Sequence, residues 1–127
     1  MRVRHVIRYY CDFCPKGYFK RPSMIRHERG CTANPNRICG LCKNTEPWLE
    51  QKPMAELIAC LSWDKDEYGM KELRQLCENC PGCILAALRQ SGMMKQAAEE
   101  GEYVDFKFDF KKELDAWWAQ AVSNLEI

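Results

Sequence analysis

The stretch YYCDFCPKGYFKRPSMIRHERGC, residues 9–31, decides how the rest of the chain is read. Its Cys11, Cys14, His27 and Cys31 follow the spacing Cys-x2-Cys-x12-His-x3-Cys. Three soft thiolates and one imidazole at those separations close a tetrahedron around Zn(II). Two donors come from a turn. The other two stand at i and i+4, so on a helix they lie one turn apart and point the same way. Apolar residues punctuate the stretch: Tyr9 two before Cys11, Tyr18 four after Cys14 and Met24 three before His27.

On those residues the stretch resembles the common two-cysteine, two-histidine zinc finger at every core position. The last histidine is replaced by Cys31, which makes it look like the Cys-Cys-His-Cys variant. The resemblance covers residues 9–31 and implies a β-hairpin and a helix around one zinc. It also implies base-reading positions at −1, 3 and 6 of the helix. With Met24 at helix position 4, these fall on Lys20, Ser23 and Arg26. Lys and Arg side chains read guanine in the major groove, while Arg2, Arg4, Arg8 and Arg29 are expected on the phosphate backbone. Fingers of the Cys-Cys-His-Cys variant also resemble those used for protein contact.

Charge is distributed unevenly. The chain of 127 residues has a formal charge of only +1, yet residues 1–37 hold nine Lys/Arg against two Asp/Glu, and residues 38–127 hold ten against sixteen. A basic first third suits a polyanion, and the acidic remainder suits a protein partner. The hydrophobic fraction of 46% excludes a disordered tail. No apolar run approaches the roughly 20 residues that span a bilayer. No apolar stretch of signal-peptide length follows Met1, so the expected compartment is intracellular and reducing, with no membrane association. Nine cysteines there point to metal before disulfides.

Cys39-Gly40-Leu41-Cys42 is a second knuckle, whose tight turn lets backbone N–H groups approach both sulfurs. Its partners lie among Cys77, Cys80 and Cys83. Cys80-Pro81-Gly82-Cys83 opens an apolar helix, and this partly resembles the treble-clef four-cysteine module, here over residues 39–92, in which a second CxxC sits on a helix N-terminus. That resemblance selects Cys39, Cys42, Cys80 and Cys83, with Cys77 a free or backup thiol. Two structural Zn(II) ions are therefore expected.

Between and beyond the cysteines, periodicity supplies the elements. Residues 3–9 alternate as an edge strand, and the polar break at residues 32–36 marks a boundary. Pro53 opens a helix with Met54, Leu57, Ile58 and Leu61 in one stripe, among which Cys60 is a packed thiol. Helices follow over residues 67–77, from Pro81 to Gly92, and over 93–100. Residues 103–110 alternate strictly, which predicts a half-buried strand, and a helix with Leu114, Trp117, Trp118 and Val122 on one stripe follows.

The fold class expected is a small zinc-stabilised α+β protein in three parts. These are a ββα finger with its basic strand over residues 1–36, a helical four-cysteine zinc module over 37–101, and a strand-helix docking arm over 102–127. The arm presents Phe106, Phe108, Phe110, Trp117 and Trp118 to a protein partner, because a lone strand needs another edge and Trp is enriched at interface hot spots. The same side chains at helical and strand spacing also fit an intramolecular core. Catalysis is not expected: both sites have four protein ligands, His5 is the only spare histidine, and Cys80-Pro81 reverses the deaminase Pro-Cys order. The expected function is non-catalytic: nucleic-acid engagement, of duplex in particular, by residues 1–31, with the acidic part recruiting a protein. The alternative is a zinc-stabilised structural or adaptor subunit of a larger assembly, without nucleic-acid binding. No small-molecule substrate is expected.

Overall fold

The run Pro81-Gly82-Cys83-Ile84-Leu85-Ala86-Ala87-Leu88 carries no charge before Arg89, and a helix apolar on all sides must be surrounded. The computed structural model, which describes residues 1–39, 41, 52–101 and 103–125 with side chains through 120, places this helix at the centre of the protein. Strands β1 (Tyr9–Tyr10) and β2 (Gly17–Tyr18) form an antiparallel hairpin, followed by α1 (Arg21–Gly30). Next come α2 (Met54–Ala59), a 3-10 turn (Asp66–Gly69), α3 (Met70–Leu76), the central α4 (Pro81–Ser91), α5 (Met93–Glu100) and α6 (Phe110–Leu125). Helices α2, α5 and α6 all pack on α4. The result is a mixed α and β fold, mostly helical among the described residues.

The core follows from the stripes. Met54 and Leu57 of α2, Met70 and Leu73 of α3, and Ile84, Ala86, Ala87 and Leu88 of α4 form one buried cluster, with Cys39, Cys77, Cys80 and Cys83 in it. Cys60 packs at its edge, its thiol on the Glu56 carbonyl at 3.5 Å. The helix expected over residues 67–77 divides in two, because Glu67 and Tyr68 take left-handed φ values of 51° and 59°. That twist turns the Tyr68 ring into an aromatic group with Trp63 and Phe106, at centroid distances of 5.4 and 5.5 Å.

Two expected strands are absent. Residues 1–8 carry no strand and are exposed, and pairing begins only at Tyr9, opposite Tyr18. Residues 103–110 also form no strand. Their alternation is real as burial: Val104, Phe106 and Phe108 are half-buried while Tyr103, Asp105, Lys107 and Asp109 face solvent. The backbone is kinked at Lys107, which has φ 53°, and its N–H donates to the Asp105 carboxylate at 2.8 Å. Its carbonyl accepts from Arg74 Nη2 at 3.0 Å. Side chains thus satisfy backbone groups that a sheet edge would otherwise have to pair.

Arg74 fastens this segment to α3. Its guanidinium reaches both carboxylate oxygens of Glu113 at 2.6 and 3.0 Å and lies over the Phe108 ring. Phe106, Phe108 and Trp117 are half-buried and pack against the protein's own core, while Phe110 and Trp118 stay exposed.

Gly69 holds the 3-10 turn against the end of α2. Its φ is 83°, and a Cβ there would run into the carbonyl of Cys60. Gly69→Ala should destabilise the protein by about 2–4 kcal/mol through overpacking and left-handed strain, read from denaturant midpoints.

Candidate metal centres

The hairpin brings the first donors together before the helix supplies the rest. Cys11 N–H donates to the Lys16 carbonyl at 3.0 Å, which closes the turn, and the Phe13 N–H donates to Cys11 Sγ at 3.4 Å. Asp12 N–H reaches Glu28 Oε1 at 3.2 Å and ties that turn to α1. Tyr9, Tyr18 and Met24 pack beneath the donors. His27 then projects from the last turn of α1, its Nε2 3.2 Å from Cys14 Sγ.

Cys31 completes the set from a different backbone setting than expected. It lies one residue beyond α1 with extended φ/ψ of −57° and 130°, so only His27 stands on the helical face. The donor atoms of Cys11, Cys14, His27 and Cys31 nevertheless all lie within 4.8 Å of one another. Zn–S bonds of about 2.3 Å put tetrahedral sulfurs about 3.8 Å apart, so the group fits a four-coordinate ion. Burial works to raise the Cys14 thiol, but the hydrogen bond from Lys16 and those with Cys31 and Cys11 outweigh it and hold it below the ordinary range. Burial dominates at Cys31, which is raised.

The second centre is built on α4. Glu78 and Asn79 adopt φ values of 55° and 61°, turning the chain sharply after α3 and delivering Cys80 to the N-cap of α4. Cys83 follows in the first turn, and both sulfurs meet Cys39 within 4.8 Å. The Cys39 and Cys80 sulfurs are 3.4 Å apart, and none of the three is in a disulfide. The positive end of a helix favours thiolate in this position. Cys42, the remaining expected ligand, lies outside the described residues. Cys77 is not among the grouped donors; burial pushes its thiol up to about 11, with the charge of Cys80 adding to the shift.

Arg37 joins the two centres, and sequence reasoning missed it. Counted among the basic charges of the first third, it is 92% buried in the structure, being 8% exposed. Its Nε donates to the Gly30 carbonyl at 3.2 Å and its Nη1 lies 4.0 Å from Cys83 Sγ. The segment that follows does the same for two further carbonyls at the end of α1: Asn34 Nδ2 donates to Glu28 O at 2.8 Å, and Ile38 N–H to Arg29 O at 2.8 Å. A helix C-terminus leaves such carbonyls without intrahelical donors. On its other side the segment is held by α4, where Gln90 Nε2 donates to the Thr32 and Asn34 carbonyls and Arg89 to Thr32 Oγ1. The polar break at residues 32–36 is therefore a hydrogen-bonded bracket. No sequence signal separates Arg37 from the other arginines around it.

The expected nucleic-acid residues are accessible. Lys20, Arg26, Arg29, Arg2, Arg4 and Arg8 are exposed and Ser23 is half-buried. The structure starts α1 at Arg21 and thereby places Met24 at position 4.

Cys83→Ser should lose about one metal ion per molecule by elemental analysis, whereas Cys77→Ala should retain full metal and Cys77 should resist alkylation at pH 8. With its pKa near 11, the Cys77 thiolate fraction at that pH is on the order of one in a thousand. Arg37→Met should destabilise the protein by about 1–3 kcal/mol in denaturant unfolding, because it strips the Gly30 carbonyl and the Cys83 sulfur of a buried donor. No protein-family model matches the chain, and no curated protein or solved structure matches it either, so donor geometry is the ground for a function.

Proposed function

We propose that the chain is a non-catalytic zinc protein whose two ions are structural, and whose basic first third engages nucleic acid while the acidic remainder meets a protein partner. The observation that carries the metal assignment is the convergence of three sulfurs and one imidazole nitrogen within 4.8 Å in the first cluster. Four protein donors fill a tetrahedral shell, and thiolate-rich sets of this kind suit Zn(II). The second cluster supplies three thiols, and Cys42, three residues after Cys39 in sequence, is the proposed fourth ligand.

Zinc supplies crosslinking here. Hairpin and helix are each too short to bury a core alone, and the buried residues of the finger are only Cys11, Met24 and Cys31. A domain of that size needs a metal or another staple. Lys20 and Arg26, exposed at helix positions −1 and 6, support base contact by the finger. The second reading, a structural or adaptor subunit, draws support from Phe110 and Trp118, which remain 37% and 42% exposed on α6.

The purified protein should contain two zinc ions per molecule, and chelation should melt the structure around both clusters, because metal binding is coupled to folding. Binding to duplex DNA should weaken steeply with salt. Arg26→Ala should lose about 1–3 kcal/mol and relax one base position, and Arg4→Ala should weaken all sequences alike, in fluorescence-anisotropy titrations. Absence of binding at low salt favours the adaptor reading.

A further inference from the structure

The outer face of the finger hairpin is built as a stacking surface. Tyr9 pairs with Tyr18 and Tyr10 with Gly17, so the pleat sends Tyr9 and Tyr18 inward to the metal cluster and Tyr10 outward. Arg8 and Phe19 lie two residues from Tyr10 and Gly17 and share that outward side. The Arg8 guanidinium carbon sits 5.6 Å from the Tyr10 ring centroid and 5.2 Å from that of Phe19. Gly17 leaves room for the arrangement as it stands, since a Cβ there would come within 2.7 Å of Arg8 Nε and 3.0 Å of Tyr10 Cε1.

Both rings remain open. Tyr10 is 61% and Phe19 is 63% exposed, although a ring used only to complete the finger would turn inward as Tyr18 does. We infer that this face binds an unpaired nucleic-acid strand, with bases stacked on Tyr10 and Phe19 and a phosphate held by Arg8. The inference rests on the nucleic-acid reading given above and adds to the duplex-reading helix a second face, on the hairpin, for unpaired strand.

Charge and geometry select this occupant. Residues 1–37 hold nine Lys/Arg against two Asp/Glu, which complements a phosphate backbone. An apolar protein surface covering the rings would have to desolvate the Arg8 guanidinium between them, whereas a strand brings an anion to it. In a duplex the base faces are hidden in the stack, so exposed rings gain nothing there. In a single strand each base offers a face, and ring and guanidinium together form the kind of platform that binds it.

The test uses the zinc-loaded full chain, a 20-nucleotide single-stranded oligonucleotide and the duplex of the same sequence, with affinities read by anisotropy. Tyr10→Ala combined with Phe19→Ala should weaken single-strand binding by about 30-fold or more, since each base–aromatic stack contributes roughly fivefold at its low end. Duplex binding should change by less than about threefold, and Arg26→Ala should show the reverse pattern. Tyr10→Leu with Phe19→Leu keeps the hairpin's apolar surface without a π-face and should behave like the alanine pair; recovery by leucine overturns the proposal. Equal losses on both nucleic acids, or undiminished single-strand affinity, also overturn it, the latter leaving the rings to a protein partner. If duplex binding persists and depends on Arg26 in those cases, only this inference falls. If neither nucleic acid binds at low salt, the nucleic-acid reading falls with it.

Discussion

Thiols that crowd within 4.8 Å of one another cannot ionise together unless a cation sits among them, and this constraint organises the whole protein. Cys39, Cys80 and Cys83 are buried at the start of α4, in the same cluster that holds Leu57, Leu73 and Ile84. Neutral, they would be small apolar side chains in a core. Around a metal ion they become a crosslink between the segment leaving the finger and the central helix. The apolar surface of α4 from Pro81 to Leu88 then receives α2, α5 and α6, and α3 packs in turn on α2.

The two centres share a frame. The carbonyls of Glu28, Arg29 and Gly30, at the end of the helix that carries His27, are capped by Asn34, Ile38 and Arg37 respectively. Arg37 also faces a sulfur of the second cluster, where a guanidinium would offset the negative charge of several thiolates around a divalent ion. The finger is consequently seated on the helical part and not strung on a free linker.

What could be read from sequence was what repeats at short range. The donor spacing of residues 11–31 and the stripes of α2 and α4 depend on local periodicity, so they were legible. The strict alternation over residues 103–110 was legible too, but alternation reports only which side is buried. Whether the backbone finds another strand depends on distant groups, and here Arg74 and Asp105 take the hydrogen bonds at Lys107. Cys31 shows a smaller version of the same limit, because its side chain reaches the cluster without staying on the helix. Arg37 was illegible for another reason: burial of one arginine among several is decided by tertiary partners 46 positions away at Cys83.

The sequence distances within the two donor sets also order events during synthesis. Cys14 and His27 are separated by 13 positions, whereas Cys39 and Cys80 are separated by 41. Loop closure grows harder with length, and chains emerge N-terminus first. The finger has every donor it needs once residue 31 is out, so it can close around metal early. Cys39, by contrast, cannot meet Cys80 and Cys83 until α4 has been made. During that interval the nascent chain exposes the apolar faces of α2 and α3, with their destination still unsynthesised. Were both clusters to bind metal, the first would have its donors well before the second.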